Sequence, residues 1–252
     1  MVDVSGPLLF AQYAYPPNAL GYCGPDDSQE LLEYVGTGTT DRGLVALARQ
    51  FHGAWPYLSL IAAASGRDPL DARVVEAYWI GNRLLDCVNG KLLAAHLTDR
   101  FTPAHLRDPA TLAVLGGRPH HNFHVFAVYP WVGLLRNRAD EPLRVLDSCR
   151  ISWGTVLAAA GDTAVVRIRP LRYDSGRLRL GEPVARHLKL HQPVDLGSQV
   201  SVHWNWICGV LTPAQRENLR RITDEQLSLV NNALGRPSTG DALEPAHHRA
   251  II

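Results

Sequence analysis

The chain has 252 residues, 46% of them hydrophobic and 19% charged, a size and texture that predict one large domain or two small ones around a buried core. Lys plus Arg number 25 against 24 for Asp plus Glu, a net charge of +1, so the chain lacks the basic footprint of a polyanion binder and no nucleic-acid partner is expected. The longest apolar runs, such as 60–64 and 125–128, fall far short of the roughly 20 residues that cross a bilayer, and no membrane span is expected. Near its start the chain carries Asp3, where a secretory signal needs basic residues, which predicts a cytoplasmic protein. Its four cysteines, Cys23, Cys87, Cys149 and Cys208, form no CxxC pair. That spacing argues against a disulfide framework or a zinc ribbon, and the default for each is a small buried apolar residue.

Residues 22 to about 115 read as helices. Asp26 followed by Gln29 suggests a capping box ahead of Leu31, Leu32 and Val35. Asp41 opens a second helix, with Leu44, Leu47, Ala48 and Phe51 at helical spacing. Pro56 suits the first turn of a third. Asp68-Pro69 then predicts an N-cap and first-turn proline before the amphipathic run Val74, Ala77, Tyr78, Leu84 and Leu85. Pro103, Pro109 and Gly116-Gly117 break up the next stretch of chain.

From about residue 143 the period becomes alternating. Residues 145–156 and 164–168 read as strands joined through the Ala160-Gly161-Asp162 turn. A second turn at residues 172–176 leads to a strand over 177–180, and 199–207 reads as one strand ending in two tryptophans. Short strands with glycine-bearing turns predict a small barrel, because too few residues remain for two full sheets. Thr212, Pro213 and Gln215 supply an N-cap, a first-turn proline and the third-position Gln of a capping box for a helix to about Asn231. The expected architecture is therefore α+β: a mainly helical domain over 1–140, a barrel with its C-terminal helix over 141–234, and a frayed tail over 235–252.

The run Cys149-Arg-Ile-Ser-Trp-Gly154-Thr-Val156, a hairpin, then Gly197-Ser-Gln-Val-Ser-Val-His203-Trp-Asn-Trp and a terminal helix resembles the small nickel–iron hydrogenase maturation chaperones of the HypC/HupF type. Those proteins begin Cys-x-Gly-x-Pro-Gly-x-Val, continue through a small OB-type barrel, and place a Gly-Asp/Gln-Trp-Val-Leu-Val-His strand before a C-terminal helix. The likeness covers roughly residues 145–231. It implies a HypC-like barrel in which Cys149 and His203 hold iron, or iron carrying cyanide and carbon monoxide, for delivery to maturation proteins or the hydrogenase large subunit. The chain departs from the pattern in three ways: Cys149 is internal, Ile151 and Trp153 replace the family's Gly and Pro, and the segment before Gly197 is longer. The runs LGYCGPDD at 20–27 and HHNFHVFAVYPW at 120–131 also resemble a bacterial family associated with hydrogenase gene clusters.

Read from the residues alone, a thiolate and a neutral imidazole are suitable ligands for a soft or borderline metal. Cys149 and His203 are equally readable as a buried strand cysteine and a core histidine. His120, His121 and His124 form the densest histidine cluster. Whether the stretch is helix or strand, His120 and His124 share a face. Two imidazoles make a weak site, so a metal site would need a third ligand such as Cys23, Asp26, Glu76 or Cys149; the stretch reads equally as a His-rich loop on Pro119 followed by a core segment of Phe123, Val125, Phe126 and Val128. Cys23 lies between glycine-bearing turns near a helix start, where a thiol is suited to ligation or nucleophilic attack, unless the loop merely shapes the backbone. His187 and His191 read as a solvated pair, and Arg167, Arg169, Arg172, Arg177 and Arg179 as the wet face of the barrel. Trp204 and Trp206 share one strand face and, like Trp153, are core residues or partner anchors. The sequence has no phosphate loop, GxSxG elbow or HExxH motif.

Three functions are expected on these grounds: a non-enzymatic iron carrier or chaperone of hydrogenase maturation, working through Cys149 and His203; a metal- or thiol-dependent enzyme whose pocket lies between the two regions and uses Cys23, His121 and His124; or a scaffold that docks through tryptophans and the arginine face.

Overall fold

A computed structural model describes residues 4–26, 28–98, 109–129, 135 and 140–234. It contains the helical N-terminal region, the closed five-stranded barrel and the terminal helix of the expected α+β fold.

A helix not anticipated from periodicity comes first. α1 (Gly6–Ala19) is buried along most of its length and apolar on every side, so it has no amphipathic stripe to read. It also contains Pro16 and Pro17. α2 (Gln29–Thr37) starts after Ser28, so the capping box expected from Asp26 does not form. α3 (Arg42–Arg49) is capped as expected, Asp41 accepting the Gly43 and Leu44 amides at 2.8 and 3.1 Å. α4 (Trp55–Ser65) carries Pro56 in its first turn.

The next helix starts later than Asp68-Pro69 suggests. Asp68 accepts the Leu70 amide at 2.8 Å, and Asp71 caps α5 (Ala72–Trp79) through the Arg73 amide at 2.8 Å. Gly81, at φ +97°, lies just beyond its end, and Leu84 and Leu85 fall in a separate 3-10 turn, Arg83–Cys87. α6 (Gly90–Thr98) and α7 (Pro109–Val114) pack together. α8 (His121–Phe123) widens directly into a π-helical turn, His124–Val128, closed by the Tyr129 amide on the His124 carbonyl at 2.8 Å.

The strand expected over 145–156 is corrected in its first half. Residues Asp140–Cys149 form helix α9, whose start holds Asp140, Glu141 and Pro142, residue types suited to a helix N-terminus. β1 begins only at Ser152 and runs to Ala160. Through the predicted turn it pairs with β2 (Thr163–Ile168). Gly154 permits that approach, since a Cβ there would meet the Arg167 carbonyl oxygen at 2.6 Å. β3 (Leu171–Asp174) and β4 (Arg177–Leu180) form the second hairpin as a separate two-stranded sheet, and β5 (Val184–Leu190) returns to the barrel.

The strand expected over 199–207 is broken in two. β6 (Gln199–His203) and β7 (Trp206–Val210) are joined by Trp204-Asn205, with Trp204 at φ +55°, a conformation that hairpin loops normally assign to glycine or asparagine. The barrel closes in the order β1-β2-β5-β7-β6, with β5 and β7 parallel. Its interior is filled by Val156, Val166, Ile168, Leu188, Val200, Val202 and Ile207.

α10 (Pro213–Leu234) opens with the expected capping box: Gln215 accepts the Thr212 amide at 2.9 Å, and Thr212 accepts the Gln215 amide at 3.2 Å. It continues past Asn231, whose side chain clasps the Leu178 backbone through two 2.8 Å bonds and so ties the β3–β4 hairpin to the helix. The expected tail over 235–252 lies outside the described residues. A second, larger core unites the N-terminal helices with α9, α10 and residues such as Leu171, Leu178, Cys208 and Leu211.

Candidate metal centre

Where the helical layer meets the mouth of the barrel, a cavity of about 40 Å³ is lined by Cys23, Tyr78, Trp79, His121, His124, Cys149 and His203, with apolar walls that include Phe51 and Val125. That volume suits an ion or a few water-sized groups. Within it, one ligand atom each from His121, Cys149 and His203 lies within 4.8 Å of the other two. Tetrahedral coordination at ordinary zinc–nitrogen and zinc–sulfur lengths needs ligand separations of about 3.5 Å, so a contraction of about 1 Å converts this cluster into a coordination sphere.

His203 ends β6, is wholly buried, and donates from Nδ1 to the Tyr13 carbonyl at 2.7 Å. That carbonyl is available because its helical partner would be the amide of residue 17, and Pro17 has none. With Nδ1 protonated, Nε2 carries a lone pair, and it is buried without a hydrogen-bond partner. An imidazole oriented through its other nitrogen by a backbone carbonyl is the usual support of a metal-ligating histidine.

Cys149 is the last residue of α9, and its position is fixed from both sides. Asp147 and the fully buried Arg150 form an ion pair at 2.9 Å; Asp147 also accepts the Leu171 amide at 2.7 Å and Arg186 at 2.6 Å, while Arg150 donates to the Arg169 carbonyl at 2.6 Å. Burial alone would raise the Asp147 carboxyl, but Arg150 and Arg186 outweigh it and hold the group below its ordinary range. Ile151, two residues beyond the cysteine, is clasped by the buried side chain of Asn122, which accepts its amide at 2.8 Å and donates to its carbonyl at 3.0 Å. Asn122 also donates to Thr223 of α10 at 2.9 Å. The β6–β7 turn joins in, Trp204 donating its amide to the Ser148 carbonyl at 2.7 Å.

His121 donates from Nε2 to the Cys149 carbonyl at 2.8 Å, one of the carbonyls a helix end leaves without a partner, and its Nδ1 pairs with the Tyr78 hydroxyl at 3.1 Å. The Cys149 sulfur is 3.9 Å from the same Nε2. For Nε2 to ligate, its proton must move to Nδ1, and the Tyr78 oxygen, which can donate or accept, accommodates both tautomers.

Burial sets the protonation states. It pushes the Cys149 thiol up to about 12, with the Trp204 indole pulling in the opposite direction, and raises Cys23 well above its ordinary value, helped by Cys149. It depresses His203 and His124 to about 4 and His121 well below 6.5, His203 adding to the last. At neutral pH the cluster therefore presents neutral imidazoles and protonated thiols, an uncharged site that a divalent cation would convert by displacing thiol protons.

The other expected residues divide clearly. His120 does not share a helix face with His124: it is the extended N-cap of α8, its Nδ1 accepts the Asn122 amide at 3.0 Å, and the pair on the cavity side is His121 and His124. The His124 ring is held by the Tyr57 hydroxyl at 3.1 Å. Asp26 is exposed, and Glu76 bonds Asn82 and Gln215 instead of joining the cluster. Trp204 and Trp206 do not share a strand face. Trp204 stacks on Tyr22 at 4.3 Å, Trp206 stacks on His191 at 4.1 Å, and Trp153 is half-buried against the larger core. His187 is exposed, whereas His191 is packed between Trp206 and Tyr15, so the two are not a solvated pair. The five arginines are exposed as expected but do not form one barrel face: Arg167 is on barrel strand β2 and Arg169 just past its end, whereas Arg172, Arg177 and Arg179 lie on the separate β3–β4 hairpin; Cys208 is buried, but Cys87 is exposed. Pro17, Tyr78, Asn122 and the Asp147–Arg150 pair are supports that local pattern did not single out.

A family model described as "Family of unknown function (DUF6390)" matches residues 2–237. The chain belongs to that family. Over 79 residues the chain is also 38% identical to a "Cyclic ether formation enzyme gkaZ" of Penicillium citrinum, an alignment that takes in 31% of this chain and 52% of that protein. The chain thus spans about half the length of that relative. No solved structure matches it.

Proposed function

We propose that this chain is a metal-binding accessory protein whose cargo or resident ion is held by His121, Cys149 and His203, and that the ion is iron handled during nickel–iron hydrogenase maturation. The observation that carries the metal assignment is the His203 Nε2 lone pair, buried without a partner in a cavity shared with a thiol and a second imidazole. Two imidazole nitrogens and one sulfur suit iron and zinc alike. The choice of iron rests on the ordered resemblance of Cys149, Gly154 and His203 to the maturation chaperones. Protein purified anaerobically after expression with hydrogenase maturation genes tests it. One iron per chain, infrared bands from diatomic ligands and a co-purifying maturation partner support the proposal; absence of iron, bands and partner overturns the hydrogenase assignment.

A second reading, that of an enzyme, is favoured by the similarity to a protein named for cyclic ether formation. Closing a cyclic ether by opening an epoxide of the same molecule forms a C–O bond from a hydroxyl oxygen, breaks the epoxide C–O bond, and moves the hydroxyl proton to the epoxide oxygen. Neutral His121, paired with Tyr78 in a largely apolar cavity, has the chemistry to move that proton. Ring closure that survives chelation and is lost in His121→Ala would favour this reading over the carrier.

A further inference from the structure

We propose that Cys23 is a fourth ligand, completing with His121, Cys149 and His203 a centre of two thiolates and two imidazoles for a divalent transition-metal ion. The inference rests on the metal reading above and extends it from three ligands to four. A three-ligand set leaves one position of a tetrahedron to fill, and the Cys23 side chain lines the same cavity. His124, the other ligating side chain on the wall, is engaged by Tyr57.

The backbone that presents Cys23 is built to stay in place. Asn18, near the end of α1, donates to both the Cys23 and Pro25 carbonyls, at 2.7 and 2.6 Å. The Tyr22 amide returns to the Pro17 carbonyl at 3.0 Å, and the Tyr22 ring stacks on Trp204, beside the turn that follows His203. Gly24, at φ +87°, sits against the Phe51 ring, where any Cβ would collide. The mutually close ligand atoms are those of His121, Cys149 and His203, so ligation by Cys23 requires its side chain to move inward across the cavity they share. The same α1 segment thus supports two ligands, His203 through the Tyr13 carbonyl and Cys23 through Asn18.

Cobalt(II) titration of the metal-free full chain tests this, because a thiolate–cobalt charge-transfer band reports the number of sulfur ligands. The proposal predicts one cobalt per chain and a band whose intensity per cobalt falls by about half in Cys23→Ser. Equal intensity in native protein and Cys23→Ser overturns it while leaving the three-ligand site intact, whereas failure of the native protein to bind cobalt overturns the underlying metal reading as well.

Discussion

Pro17 and His203 are linked through a single oxygen atom, the Tyr13 carbonyl, which accepts the His203 Nδ1 proton at 2.7 Å because the proline offers it no amide. A residue that looks like a defect in a buried helix thereby sets the tautomer of an imidazole 186 positions away in sequence.

Pro17→Ala restores an amide that competes for the Tyr13 oxygen. Loss of an orienting partner typically costs 10–100-fold in metal affinity, and a fall of about 10-fold is expected, with thermal stability unchanged or raised because the helix gains a hydrogen bond. A chelator-competition titration beside a melting curve checks this; unchanged affinity would show that the tether is not needed.

Removing half of the clamp around Cys149 should be costly. Asp147→Asn leaves Arg150, 1% exposed, without its counter-charge, and an uncompensated buried charge destabilises by about 3–5 kcal/mol. Denaturant unfolding should show a loss of this size, and Arg150→Met in the same chain should recover part of it.

Stability should fall in acid. His120 is held down to about 3 and His124 and His203 to about 4 by burial, with His121 lowered as well. The unfolded chain binds protons below about pH 6.5 that the folded chain refuses until far lower, so this contribution is complete above 6.5 and shrinks as pH drops towards 4. Each such histidine adds up to about 1.4 kcal/mol per pH unit to the slope. Urea midpoints measured from pH 7.5 to 4.5 check the sign; a flat profile would mean that these rings are charged in the native state.

Local chemistry made much of the fold legible. Asp41, the Thr212–Gln215 box and the turn at residues 160–162 act within a few residues of themselves, and each forms as expected. α1 escaped because a helix buried on every side has no period. α9 reads as strand because Val145 and Leu146 belong to a short apolar pattern that fits either element. The break at Trp204 replaces a turn signal with an aromatic ring, so nothing local announces it. At the site, the thiol and imidazole candidates could be named from residue type and motif order. Their supports could not, since Tyr78, Asn122 and the Tyr13 carbonyl reach their partners only through tertiary packing.

Metal uptake should release protons. Both cavity thiols are protonated at neutral pH and the imidazoles are neutral, so the logarithm of affinity should rise with pH between 6.5 and 8 with a slope of about two for the four-ligand centre and about one in Cys23→Ser. Titrations at several pH values in a non-coordinating buffer measure it; a pH-independent affinity would exclude thiol ligation.

The proposed grip of His121, Cys149 and His203 on one ion is open to direct measurement. Equilibrium binding of zinc(II) or cobalt(II) to the metal-free chain, compared with Cys149→Ser and His203→Ala shown to be folded by circular dichroism, tests it most directly. One equivalent should bind to the native chain, with an affinity at least 100-fold weaker in each variant; no binding by the native chain, or undiminished binding by folded variants, would rule the site out.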